Sequence, residues 1–315
     1  MNRRVLLPCL LVTLALASTA ARAESRVEKT LKIEPNGRLE VDTEMGAVSV
    51  TGTSRTDVHV VVTSRGRDLE EILVLRFDEG GKTVRITGKK KDRHLFGWSD
   101  GGRVKFEIEV PAATALDVDT SGGGIIVESI RSQVKVHTSG GSIDVRDLVG
   151  DLDGHTSGGG VVVKNIKGRT RVETSGGSID GADLDGPVTA DTSGGGITMR
   201  HVTGDLKVHS SGGSIRIDEA AGLVEADTSG GGIRASFSRG NSRGGRLESS
   251  GGSIELALDP DADLEIDASA SHVSSDLPLT VRGEISRSRL HGTLNKGGAS
   301  LRIHTSGGGI RIERL

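Results

Sequence analysis

The chain has 315 residues, of which 2% are aromatic, with one tryptophan, no tyrosine and a formal net charge of −3. A charge balance this close to neutral sets up no basic field for nucleic acid. The single cysteine, Cys9, excludes a disulfide framework within the chain.

Residues 1–23 read as a secretory signal peptide. Arg3 and Arg4 form the charged start, and Val5 to Ala17 form an apolar run too short for a comfortable membrane span. Ala21-Arg22-Ala23 is an A-x-A cleavage site. Cleavage after Ala23 removes Arg3, Arg4 and Arg22 and no acid, taking the net charge from −3 to −6. Cys9 follows Pro8, where a lipoprotein signal would place a small residue, so lipidation is not expected. The expected location is the periplasm or, after secretion, the cell surface. No membrane span is expected in the mature chain.

Residues 24–115 read as an irregular N-terminal β section. Leu39, Val41, Thr43 and Val48 carry the spacing of the repeats that follow, so 39–50 is a degenerate first coil. Stretches 57–63, 72–77, 82–88 and 103–110 alternate apolar and polar residues as strands do. Asp78-Glu79-Gly80-Gly81 joins the middle two, which suggests an antiparallel excursion capping the first open edge. Within it, His94-Leu95-Phe96-Gly97-Trp98 follows Lys89-Lys90-Lys91 and holds the only tryptophan. Phe96 and Trp98 either anchor a partner or tuck over the end of the core.

From residue 116 to 315 one phrase organises the chain, Thr-Ser-Gly-Gly-Gly-Ile or its twin with Ser in fifth place. It starts at Thr120, Thr138, Thr156, Thr174, Thr192, Ser210 and Thr228, a constant step of 18 in the numbering, and again at Ser249 and Thr305. Aliphatic residues recur four and two positions before the Thr and five and seven after it, as in Val134, Val136, Ile143 and Val145. Period-two alternation on both sides of a glycine turn gives two half-buried strands per unit. The turn glycines are expected at positive φ. Two strands and two turns in one such period make one coil of a β-solenoid, and narrow coils leave no room for large rings. A single coil buries too little apolar surface to offset the order it requires, so coils must stack.

The predicted fold class is therefore all-β: a single-chain parallel β-helix of about 18 residues per coil with an antiparallel N-terminal section. It becomes irregular after residue 258. There Leu264, Ile266, Ala268 and Val273 keep the spacing, 275–300 is an insertion, and Leu301 to Ile312 form a last coil.

The fifth position alternates, as in Gly124, Ser142, Gly160 and Ser178, which would also fit a coil of 36. The column three before the Thr decides for 18. Asp117, Lys135, Asp153 and Arg171, then Lys207, Glu225, Arg246, Glu265 and Arg302 alternate in sign, interrupted by Thr189. The shorter coil stacks opposite charges about 4.8 Å apart, whereas the longer one would stack like charges.

The column just before the Thr carries metal-ligand types throughout: Asp119, His137, His155, Glu173, Asp191, His209, Asp227, Glu248, Asp267 and His304. Asp119, His137, His155 and Glu173 form its best cluster, two imidazoles flanked by carboxylates that could hold a divalent metal. The same column also reads as a solvated face in which histidine dilutes carboxylate repulsion. The glycine turns lack a Gly-Lys-Ser/Thr ending and a G-x-G-x-x-G between strand and helix, so they are turns rather than phosphate loops, and no cofactor is expected. The repeated Ser and Thr offer no distinctive nucleophile, so no catalytic residue is assigned.

The A-x-A signal, the lead-in FEIEVPAATALDVDTSGGGI, the serial TSGG turns, the segment SSDLPLTVRG and the final ASLRIHTSGGGIRI occur in that order. Together they resemble the bacterial cell-envelope family catalogued as putative adhesins, a domain of unknown function. The resemblance covers nearly all of the mature chain. It implies a right-handed β-helix and an envelope location, and it brings no catalytic residues. The expected function is an exported, non-enzymatic, adhesin-like surface or scaffold, with an envelope protein or glycan as partner and weak self-association allowed. The alternative is a sugar- or metal-binding envelope protein that uses the Asp/His ladder. A polysaccharide lyase-like enzyme is a third reading, opposed by the scarcity of aromatic platforms.

Overall fold

The computed structural model describes residues 24–91, 104–281 and 286–315. The expected signal segment, residues 1–23, and the pair Phe96 and Trp98 lie outside them.

Alternation in the repeat becomes burial. In the strands Val134–Thr138 and Ile143–Val149, the side chains of Val134, Val136, Thr138, Ile143, Val145 and Leu148 are buried, and Lys135 and His137 lie outward. Each strand pairs in parallel with its counterparts one repeat before and one repeat after it. Lys135 lies opposite Asp117 and Asp153. Val145 lies opposite Val127 and Val163. One coil is thus one repeat, as the charge column indicated, and not two.

Two long sheets result, with the core between them. One has fifteen strands among the described residues, and in the regular stack these end on the repeat Thr; we call it the threonine sheet. The other has fourteen and receives the Ile that follows the turn; we call it the isoleucine sheet.

The turn glycines are needed for a reason other than the expected one. Gly158 and Gly194 are not among the residues at positive φ. A Cβ on Gly159 would lie 2.1 Å from the carbonyl oxygen of Gly141, and one on Gly177 equally close to that of Gly159. The turns nest backbone on backbone, and no side chain fits between them. In the regular coils positive φ occurs at the opposite corner instead. Gly150 and Gly168 are there (φ 152 and 144), beside Asp147, Asn165, Asp183 and His201 (φ 54, 53, 57 and 52).

At the N-terminal end, the elements are β1 (Glu24–Lys32), β2 (Arg38–Thr43), β3 (Ala47–Thr53), β4 (Asp57–Arg65), α1 (Leu69–Ile72), β5 (Leu73–Gly80), β6 (Thr83–Lys90) and β7 (Val104–Pro111). β2 and β3 form the degenerate coil and pair in parallel with the next regular one. The excursion is only partly antiparallel. β6 and β7 pair in parallel with β2 and β3, adding one more coil outside them. Their inward Val84, Ile86, Phe106 and Ile108 continue the buried columns of Leu39, Val41, Val48 and Val50, but a long connection in place of the short glycine turn separates Ile86 from Phe106, and no TSGG phrase marks the coil. β1, β4 and β5 supply the antiparallel pairings.

At the other end, chain order and spatial order part again. The strand Ala299–Thr305 inserts between Gly245–Ser249 and Leu264–Ser269. Leu301 to Ile312 is thus last in the sequence but not in the stack. Arg302 lies opposite Arg246 and Asp267, and Glu265 faces Ser300, so the sign alternation stops there. The turn geometry accounts for this order. Gly307 and Gly308 nest on Gly251 and Gly252, whereas the coil at 264–275 has lost its turn glycines and takes the terminal place. The insertion supplies Leu279–Val281 and Arg289–Leu294, antiparallel strands beyond that coil.

Candidate functional site: the outer face of the threonine sheet

Strand alternation turns two columns of the repeat outward on the threonine sheet. Stacking at about 4.8 Å converts sequence positions one repeat apart into neighbours. In one column Asp117, Lys135, Asp153 and Arg171 follow one another across consecutive strands. Lys207 closes on Glu225 at 3.6 Å. These groups are exposed, so each pair contributes little to stability and serves mainly to hold register.

The second column brings Asp119, His137, His155 and Glu173 into one line on successive coils, as the sequence spacing requires. The His137 and His155 rings stack face to face, 5.0 Å apart and 5° from parallel. Imidazole lone pairs lie in the ring plane, so two parallel rings direct them side by side rather than at a common point. His155 Nδ1 lies 3.6 Å from Glu173, and His209 Nδ1 meets Asp227 at 2.8 Å. Among the described residues no group of three or more His, Cys, Asp or Glu is placed to hold a metal ion. Asp267 leaves this column, and His304 joins it between Glu248 and Ser269.

Towards the C-terminal half the face hollows into an open depression lined by Asp191, Lys207, His209, Glu225, Asp227, Arg246 and Glu248. The carboxylate of Glu248 holds the Arg246 guanidinium above its ordinary range. The depression is acidic on balance yet carries both signs, and it opens onto the sheet face.

A third column escapes a reading by apolar periodicity. Ser129, Asp147, Asn165, Asp183, His201 and Glu219 occupy the left-handed region at the corner opposite the glycine turns. Their side chains link along the stack: Asn165 donates to Asp147 (2.6 Å), and His201 lies between Asp183 (3.1 Å) and Glu219 (3.6 Å). The available signal was a polar column, rich in Asp, Asn and His, one residue before the buried Leu148, Ile166, Leu184 and Val202.

The family model described as Toastrack DUF4097 matches residues 36–313. No curated protein matches the chain. Among solved structures, a putative cell adhesion protein from Clostridium sporogenes is 12% identical, with a TM-score of 0.24, covering 92% of this chain and 100% of its own. A putative adhesin from Bacteroides fragilis is 10% identical, with a TM-score of 0.33 and coverages of 93% and 99%. A putative lipid binding protein from Parabacteroides distasonis is 15% identical, with a TM-score of 0.41 and coverages of 92% and 97%. At these TM-scores the likenesses carry no argument about function.

Proposed function

Since this chain belongs to the Toastrack DUF4097 family, we propose that it is an exported, non-enzymatic solenoid serving as an adhesin-like binding surface or scaffold of the bacterial cell envelope. The observation that carries this reading is the outer face of the threonine sheet, where acids, bases and histidines recur strand after strand. Such an array engages an extended partner at many weak points. Multiple engagement supplies affinity that no single exposed ion pair provides. The depression around His209 is open, a shape suited to a polymer or another protein rather than to an enclosed small molecule. The signal segment at 1–23 supports export.

The test is retention of the purified protein on isolated envelopes and on a glycan array, beside a variant carrying Asp191→Lys and Asp227→Lys. Retention that the variant loses supports the face as the binding surface. Equal retention of both proteins, or none of either, removes that role. Turnover of a polysaccharide by the wild-type chain would replace the reading with an enzymatic one.

A further inference from the structure

The two sheets do not end level at the N-terminal end. Beyond the coil of β2 and β3, the isoleucine sheet continues through β7, β4 and β1, and the threonine sheet only through β6 and β5. Among the described residues β1 therefore has no strand across the core from it. Register identifies its inward side chains: Val27, Lys29 and Leu31 lie opposite Val62, Val60 and Val58, all at 0% exposure. Leu31 is buried, Val27 is half-buried and Lys29 is exposed. On β5 the inward pair is Leu75 and Phe77, both half-buried against the core. α1 closes one end of this slot, where the Leu69 N–H donates to the Ser25 hydroxyl at 3.1 Å. The other end closes where the Glu34 N–H donates to the Gly81 carbonyl at 3.0 Å. The open length corresponds to about five extended residues, or ~16 Å.

Two features of the slot lack partners among the described residues. β5 is the edge of its sheet, and from Val74 to Glu79 no backbone group is bonded other than to β6. The Lys29 ammonium makes no ion pair or hydrogen bond, although it extends from the inward side of an apolar strand. An unpaired edge is a template for another strand. A cation beside apolar side chains selects an anion with an apolar body. The opposite end of the solenoid offers no such edge on its isoleucine sheet, because Ala270 and Val273 donate to the carbonyls of Ser288 and Arg287.

We propose that this slot binds an extended peptide segment of a partner protein, added as one strand to β5, with apolar side chains towards Val27 and Phe77 and one carboxylate towards Lys29. A fatty acid would satisfy Lys29 but leave the β5 backbone unpaired, so the edge favours a peptide. The slot lies at the end of the stack and does not depend on the role assigned to the threonine sheet.

The probe is a blocked, dye-labelled peptide, Val-Thr-Val-Thr-Glu-Thr-Val-Thr-Val, titrated with the full chain by fluorescence anisotropy. Binding is expected with a dissociation constant of roughly 10–100 μM. Lys29→Glu should weaken it at least about tenfold, and should bind more tightly a second probe with Lys in place of the central Glu. That reversal is a readout no folding defect would produce. Methylation of the probe's N–H groups along one edge should abolish binding, and along the other should not. Binding weaker than about 1 mM by wild type, or indifference of Lys29→Glu to the charge of the probe, overturns the proposal. Indifference to N-methylation on both edges, with displacement by dodecanoate, assigns the slot to a lipid acid instead and equally overturns it.

Discussion

Thr156 donates its hydroxyl to the carbonyl oxygen of Gly141, 2.7 Å away in the preceding coil, and accepts from the N–H of Gly159 in its own turn at 3.3 Å. The arrangement repeats at Thr138, Thr174, Thr192, Ser210 and Thr228. Thr170, four residues before the next repeat Thr, is buried with no partner for its hydroxyl, in a column of Leu and Val. The same substitution should therefore act with opposite sign at the two sites. Thr156→Val leaves two backbone groups unsatisfied and should cost about 1–3 kcal/mol, whereas Thr170→Val should add ~1 kcal/mol. Urea midpoints measure both, and a shift in the same direction for both variants would count against this account.

The two turn glycines should also differ. A Cβ at residue 159 meets backbone at 2.1 Å, but at 158 the nearest atom is 3.3 Å away. Gly159→Ala is expected to cost more than about 3 kcal/mol and Gly158→Ala less than about 1 kcal/mol. Thermal melting compares them. Equal costs would mean that nesting is not what demands glycine.

Chain order at the C-terminal end can be read by cross-linking. Arg246 and Arg302 are register partners, so their Cα atoms lie about 5 Å apart. Arg246→Cys with Arg302→Cys should form a disulfide on oxidation, and Arg246→Cys with Glu265→Cys should not. The reverse pattern would restore the order of the chain to the stack.

Glu28 accepts from His59 at 2.8 Å and from Arg26 at 2.9 Å. The hydrogen bond with His59, then that with Arg26, holds its carboxyl below the ordinary value. A depressed carboxylate pKa contributes stability above the unfolded pKa, about 4.3, and loses it as pH falls through the folded value. Glu28→Gln should thus lower stability at pH 7, with the difference from wild type shrinking below roughly pH 4. Denaturant titrations across that range check it. A difference that stays constant down to pH 3 would remove the electrostatic origin.

The stacked His137 and His155 make a further expectation about metal. Calorimetry at pH 7.5 should find no zinc binding tighter than about 1 mM. A micromolar site that disappears in His137→Ala/His155→Ala would show that the rings turn to ligate together, and would falsify the solvated-face reading of this column.

Much of the architecture was legible because a solenoid is local in a special sense. Contacts between coils join residues one repeat apart, so Asp117, Lys135 and Asp153 announce their stacking in the sequence, and the buried Thr reveals itself by sharing parity with Val136 and Leu152. Period-two alternation likewise identified which columns face solvent, including Asp119, His137, His155 and Glu173. What periodicity does not carry is the direction of a ring, so the stacking of the two imidazoles belongs to the structure. Nor does it carry φ. Gly159 and Asp147 could be told apart only by the distance between adjacent turns and the path around the far corner. Both ends of the stack were decided by tertiary structure for one reason. Where the repeat lapses, any coil with the right inward aliphatics can pair with any other. At the C-terminal end the choice falls to nesting of glycine turns, which placed Leu301 to Ile312 inside the stack, and at the N-terminal end antiparallel pairing with β6 left β5 at the edge of its sheet.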